Sequence, residues 1–421
     1  MTRSCSSRID DCQRFKLPRR FGVAVGGVLL LSGCAQPGPS AERGREPELR
    51  VAVVAGAEAV RISGQGRFAV EGSENFTLGA EEVIRVLPGV GGVRVEERSG
   101  SQAEKIRVRS LDRSSFVTIN ARPFRGSVEL YARDESIVAV NVVGLESYLR
   151  GVVNAEMGTL TRHEQAALEA QAIASRTYAL KNIGRFRQDG YDIRATVSDQ
   201  AYLGVRRETD LGNAAVTSTA GIVITYRGEL ASVFYHSTCG YSTASPDEAF
   251  RTVRPVEYLR PVSDRRPSGG YYCDPSPRFR WTVEWEGSEL SDILRRTLPA
   301  VVGVDQSAVD QVHDIRSHSQ GRSRRITELR ILVGGGEIPV FGPDIRRVLE
   351  TPDERPLGST AIEFAPVLSA GLLESLRISG AGWGHGVGMC QWGAIGRSRA
   401  GQTAHTILTT YFPGTSIERW Y

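Results

Sequence analysis

Glu156 is the residue of this 421-residue chain whose setting best suits proton chemistry. Leu145, Leu149, Val152 and Glu156 fall at helical spacing, Tyr148 and Val153 widen the same stripe, and Asn154-Ala-Glu-Met157 stops at Gly158. A carboxyl group at the edge of an apolar stripe loses part of its hydration, which favours its neutral form. Held protonated near neutral pH, it can donate to the departing oxygen of a sugar–sugar bond. The same position also suits a solvated glutamate at a fraying helix end, and spacing alone does not separate the two.

Two other groupings carry chemistry of a different kind. His236 and Cys239, with Cys273 further on, have residue types that bind zinc, while Cys239 and Cys273 serve equally well as a disulfide pair. His385 and Cys390 stand five residues apart, which admits a thiol-peptidase reading.

The elements that must position these groups change character along the chain. Residues 49–134 alternate with period two, as in Leu49-Val51-Val53 and Ile106-Val108, with turns at Gly64, Gly66, Gly89 and Gly91-Gly92; this is a β-rich region. A short helix is expected from Leu145, and Thr161 with Glu164 makes a capping box before a long helix of small residues reaching about Phe186. Strands return near 222–226 and 232–235, and residues 274–350 read as an inserted subdomain with weak strands and one short helix. Gly380, Gly382, Gly384, Gly386 and Gly388 then alternate through a loop holding Trp383 and His385, whose backbone N–H groups could reach a ligand. A helix from Gln391 to Arg399, ended by Gly401, and another capped by Thr403 and running to Tyr411 close the chain. The fold class expected is α+β, with residues 135–421 as one catalytic domain.

The N-terminus reads as a targeting segment. Basic residues ending in Arg19 and Arg20 precede an apolar run over 21–31, too short for a permanent membrane span, and Leu31-Ser-Gly-Cys34 follows. This ending resembles the bacterial lipobox, which makes 1–33 a signal peptide, Cys34 the lipidated residue that anchors the protein to a membrane, and 34–48 a tether. An ordinary cleaved signal peptide with a free Cys34 is the alternative. Residues 1–33 hold six of the 52 basic and two of the 48 acidic residues, so the mature chain carries 46 of each. With no net charge, nothing points to nucleic acid as a partner.

Val143-Gly-Leu-Glu-Ser-Tyr-Leu-Arg-Gly-Val-Val-Asn-Ala-Glu-Met157 and Glu169-Ala-Gln-Ala-Ile-Ala-Ser-Arg-Thr-Tyr-Ala179 closely resemble the stage II sporulation protein D and LytB family. Tyr235-His-Ser-Thr-Cys-Gly240, Gly382-Trp-Gly-His-Gly-Val-Gly-Met-Cys-Gln-Trp-Gly-Ala394 and Ile407-Leu-Thr-Thr-Tyr-Phe-Pro-Gly414 continue the match in order. The resemblance implies a lytic transglycosylase of peptidoglycan, acting on glycan strands stripped of stem peptides, with Glu156 as general acid and base. An amidase enhancer, which binds glycan without cutting it, is the alternative from the same family, and a cell-wall amidase is then the partner. Arg176, Gln200, Tyr202, His385 and Gln391 occupy family-like stretches and are expected to bind or position substrate; an internal salt bridge for Arg176, packing for Gln200 and Tyr202, and a structural role in the loop for His385 are the alternatives. No cofactor is required by such chemistry, although some relatives carry a metal beside the His236 motif. Tyr241 stands where many relatives have Gly and then His, so one ligand of that metal is missing here.

Overall fold

The computed structural model describes residues 44–98, 101–112, 114–250 and 254–421. The expected signal peptide, Cys34 and most of the expected tether lie outside the described residues. The fold is α+β, and its strand-rich part comes first.

β1 (Glu48–Ala57) and the strand Ser136–Gly144 are interior neighbours in a seven-stranded sheet, paired antiparallel with Leu49 opposite Val143 and Val51 opposite Asn141. Seven consecutive residues of Ser136–Gly144 are buried. A β-branched run of that kind requires cover on both faces. Where only one face is covered, as in Lys105–Ser110, the period-two alternation survives and only Ile106 and Val108 are buried. A six-stranded sheet built from residues 60–124 packs its own apolar face into the same core.

The chain leaves Ser136–Gly144 directly into α1 (Leu145–Met157), which buries Leu145, Tyr148, Leu149, Val152, Val153 and Met157. Gly151 lets this helix lie close to its neighbour, since a Cβ there would stand 2.6 Å from the Tyr202 ring. Gly158, at φ +74°, ends the helix by donating its N–H to the Asn154 carbonyl. The capping box forms as expected, with the Thr161 N–H on Glu164 Oε2 at 2.6 Å, and α2 (Gln165–Lys181) follows. It stops five residues short of Phe186, because the Asn182 N–H closes onto the carbonyls of Tyr178 and Ala179. Its small residues let α1, α3 (Asp210–Ser218) and the helix Gln391–Arg399 pack against it.

A second core is separate from the first. Trp285, Leu290, Leu294, Leu298, Ile315, Ile331, Leu376 and Ile378 belong to it, from the helix Gly287–Val302 and the strands around it. It therefore reaches past residue 350, the end read from the sequence. The strand Leu372–Ala381 pairs with Arg280–Glu286 on one side and Ile362–Ser369 on the other, and leads straight into the glycine-rich loop.

Candidate active site

Glu156 stands in the last turn of α1, where unpaired carbonyl groups and the helix dipole disfavour a negative charge. Its side chain is partly buried. Oε1 accepts from the Ala201 N–H at 2.6 Å and Oε2 accepts from Gln391 Nε2 at 3.4 Å, and the Tyr235 hydroxyl stands close enough to favour the charged carboxylate. Burial is the larger influence and holds the carboxyl above its ordinary range; the Ala201 N–H, Gln391 and Tyr235 favour the charged form and oppose it. The balance is a glutamate that keeps its proton to higher pH than a solvated one.

The donors come from distant parts of the sequence. Tyr235 and Gln391 are brought together by a short parallel pair, Tyr235–His236 beside Met389–Cys390, in register Tyr235 to Met389 and His236 to Cys390. Each donor is held from behind. Gln200 Nε2 donates to the Tyr235 hydroxyl at 2.9 Å, and the Tyr148 hydroxyl donates to Gln200 Oε1 at 3.0 Å. Because Tyr235 accepts from Gln200, its own proton is free to point at Glu156. Gln391 Nε2 also reaches Gln171 Oε1 at 3.5 Å, and Gln171 in turn donates to Ser175 Oγ.

The residues expected to contact substrate therefore separate into several roles. Gln391 does reach the carboxylate. Gln200 is wholly buried and acts only through Tyr235, so it lines no groove. Tyr202 is a core residue, stacked near Tyr148 and Phe124 with its hydroxyl on Asn141 Oδ1 at 2.7 Å. Arg176 is also wholly buried and is engaged with Glu146, both of whose carboxylate oxygens accept from it at 2.7 Å, and with the carbonyl of Ile222. It does not touch Glu156. His385 accepts from the Val387 N–H at Nδ1, so its Nε2–H donates to the Tyr235 carbonyl at 3.0 Å. With both nitrogens engaged and burial pushing its pKa well down, His385 is a neutral support and no base for Cys390.

The glycine-rich loop does not open toward a ligand. Trp383 exchanges two backbone hydrogen bonds with Thr238, Gly384 donates to Gly358, and Ala244 donates to the Gly386 carbonyl. A Cβ on Gly388 would stand 2.1 Å from the Phe234 carbonyl, and one on Gly382 would stand 2.5 Å from that of Thr238. The glycines allow backbone to lie on backbone, and the loop serves as packing for the 234–239 segment.

Two surface depressions, about 670 Å³ beside Arg295 and Arg296 and about 430 Å³ between Ile173 and Thr403, both leave Glu156 outside. Its position at a helix end, bordered by Ala201, Tyr235 and Gln391, is the better guide to chemistry.

Residues 133–226, which contain Glu156, α1 and α2, match the family described as Stage II sporulation protein, and residues 256–388 match a domain of unknown function. The chain is 26% identical to the stage II sporulation protein D of Bacillus subtilis, over 76% of this chain and 87% of that one. It is 26% identical to the Bacillus subtilis amidase enhancer over 64% of its length, but spans only 40% of that protein. An uncharacterized protein of Brachyspira hyodysenteriae is 26% identical over 80% of this chain and 84% of its own. Residues 133–226 thus carry a Stage II sporulation protein domain, and the chain is similar to stage II sporulation protein D and to the amidase enhancer over most of its length.

The segment at 133–226 holds Glu156 and one of its neighbours, Ala201, but neither Tyr235 nor Gln391. Tyr235 was missed as a site residue; its place just before His236 in the central motif was the available signal. The cysteines also fall differently from expectation. His236 sends Nδ1 to the Val387 carbonyl and leaves Nε2 buried without a partner, apart from the thiols. The thiols of Cys239 and Cys273, 3.6 Å apart and unbonded, gather with Cys390 and Asp264 instead. Among the described residues no helix is long and apolar enough to cross a membrane.

Proposed function

We propose that this protein is a lytic transglycosylase that cleaves the bond between N-acetylmuramic acid and N-acetylglucosamine in glycan strands freed of stem peptides. Glu156 protonates the departing glycosidic oxygen as the bond to the muramyl anomeric carbon breaks. The muramyl 6-hydroxyl then closes on that carbon, and its proton passes to the Glu156 carboxylate, restoring the acid and leaving an anhydromuramyl end. Oε1 is fixed by the short bond from Ala201, while Oε2 is held only loosely by Gln391, which makes Oε2 the oxygen that carries the mobile proton.

The observation that carries this reading is the company Glu156 keeps. Burial raises its pKa, neutral groups from Ala201, Gln391 and Tyr235 surround it, and no second carboxylate is among the groups that shift it. Hydrolytic glycosidases use a pair of carboxylates, one to activate water or attack the sugar. A single acid suits attack by the substrate's own hydroxyl. The protein is further proposed to work in the cell envelope, held by lipid on Cys34, with no cofactor taking part in the bond cleavage.

The similarity to the amidase enhancer supports a second reading, a glycan-binding partner of a cell-wall amidase. Purified protein incubated with denuded glycan separates the two. Anhydromuramyl products by mass spectrometry, absent with Glu156→Gln while glycan binding persists, support the enzyme. Acceleration of an amidase with no such product overturns it.

A further inference from the structure

Behind the glycine-rich loop, three thiols and a carboxylate meet in the interior. Cys239, Cys273, Cys390 and Asp264 are each 0% exposed, and their ligand atoms all lie within 4.8 Å of one another. The separation of 3.6 Å between Cys239 Sγ and Cys273 Sγ is close to the edge of a zinc–thiolate tetrahedron, about 3.8 Å for bonds of about 2.3 Å. A disulfide would need about 2.05 Å. Cys390 Sγ already accepts two backbone N–H groups, from Cys239 and Gly393, at 3.2 Å each. Such contacts suit a thiolate. Asp264 is fixed on three sides: Oδ2 accepts from the Cys273 N–H at 2.9 Å, and Oδ1 from the Tyr411 hydroxyl at 2.7 Å and from Arg397 at 3.3 Å.

Charge supplies an independent observation. Arg325 is 1% exposed, forms no salt bridge among the described residues, and has Nη1 without a partner. Its guanidinium reaches only the carbonyls of His385, at 3.4 Å, and Cys239, at 3.5 Å. A buried cation without an ion pair is expensive, and the groups near enough to offset it are Glu248 and, once ionised, the three cysteines. A zinc ion held by three thiolates and one carboxylate leaves two negative charges. Arg325 and Arg397 supply two positive ones.

We propose that Cys239, Asp264, Cys273 and Cys390 form a structural zinc site. On binding, whatever protons the three cysteines and Asp264 still hold leave for solvent, and the metal takes four protein ligands with no open position, as befits a site closed to water. The site joins three segments. The Cys239 and Cys273 segments are tied to Cys390, the residue that caps the helix Gln391–Arg399 and stands next to Gln391. It would hold Gln391 at Glu156 whatever reaction Glu156 performs.

The test uses the full chain, exported to an oxidising compartment and purified without reductant, then given equimolar zinc and passed through gel filtration in a weak chelator. About one zinc per chain is expected, with Cys239, Cys273 and Cys390 all alkylated only after denaturation. Retention of no zinc, or a mass two hydrogens short from a Cys239–Cys273 disulfide, overturns the proposal. Cobalt in place of zinc should give the intense visible bands of a tetrahedral thiolate complex; the weak bands of an octahedral ion in water also overturn it. Cys273→Ser should weaken metal retention by more than about tenfold, and where that variant does not fold, the metal and thiol counts on the unaltered chain decide.

Discussion

The two ends of α1 carry the same residue type in opposite states. Glu146, in the first turn, and Glu156, in the last, lie about 15 Å apart along the helix axis and both lose hydration to burial. At Glu146 two Arg176 hydrogen bonds, the Gly221 N–H and the Tyr421 hydroxyl outweigh that loss, and its pKa falls below the ordinary range. Glu156 has only neutral donors, and its pKa rises. The dipole of the shared helix adds to the contrast, favouring a negative charge at the first end and opposing it at the second. Burial alone therefore does not decide what a carboxylate does; the presence of a cation does.

The comparison breaks most severely at Glu156. Replacing it with Gln removes the mobile proton, and anhydromuramyl product should fall by about 10²- to 10⁴-fold with glycan binding retained. Its effect on stability has a definite sign. A carboxyl whose folded pKa is raised makes folding less favourable as pH climbs through and beyond its ordinary value. Glu156→Gln should thus gain in melting temperature relative to the unaltered chain as pH rises from acidic to neutral, whereas a difference independent of pH contradicts the raised pKa.

At the opposite end, Arg176→Met strands the Glu146 carboxylate and should cost about 3–5 kcal/mol in stability. Thermal denaturation of this variant, of Glu146→Gln and of the double variant measures the pairing: the double variant should recover much of the loss. Glu146 also predicts a pH trend of the other sign. A carboxyl held below its ordinary pKa contributes stability that is present above the ordinary value and is lost as pH falls toward the folded one. The acid side of the stability curve should therefore flatten in the Arg176→Met and Glu146→Gln pair.

The middle of the helix sharpens the contrast by doing no chemistry. Tyr202→Phe removes the hydrogen bond to Asn141 beneath α1 and should cost about 1–3 kcal/mol with product yield per folded molecule unchanged. The smallest effect belongs to Gln391→Ala. Losing a donor that favours the charged form raises the Glu156 pKa further, so the alkaline limb of the pH–activity profile should move to higher pH; movement to lower pH sinks the assigned role.

Much of this architecture was legible because it is local. The stripe from Leu145 to Glu156, the capping box at Thr161 and Glu164, and the helices starting at Gln391 and Thr403 follow from spacing within a few residues. What was not legible depends on partners far along the chain. Arg176 reads equally as a groove residue or as half of an internal salt bridge until Glu146, thirty positions earlier, is seen to occupy it. Gln200 and Tyr202 sit beside the backbone N–H that does reach Glu156, but their side chains point into the core. Cys390 and His385 are near in sequence, yet the parallel pairing of His236 with Cys390 turns the thiol toward Cys239 and Cys273. The alternating glycines gave the right conformational demand and the wrong occupant, since what approaches their backbone is other backbone.

Arg325 comes from the second core's own hairpin, at the edge of the strand Ile326–Val333, but its guanidinium ends among residues of the first. Gly386 has no side chain where that group arrives; a Cβ there would stand 2.4 Å from Arg325 Nε. The two cores thus meet through a key and a keyhole. Any module exchanged for the second core, in evolution or by grafting, must bring a cation to that same point, or the loop behind Glu156 loses its fit.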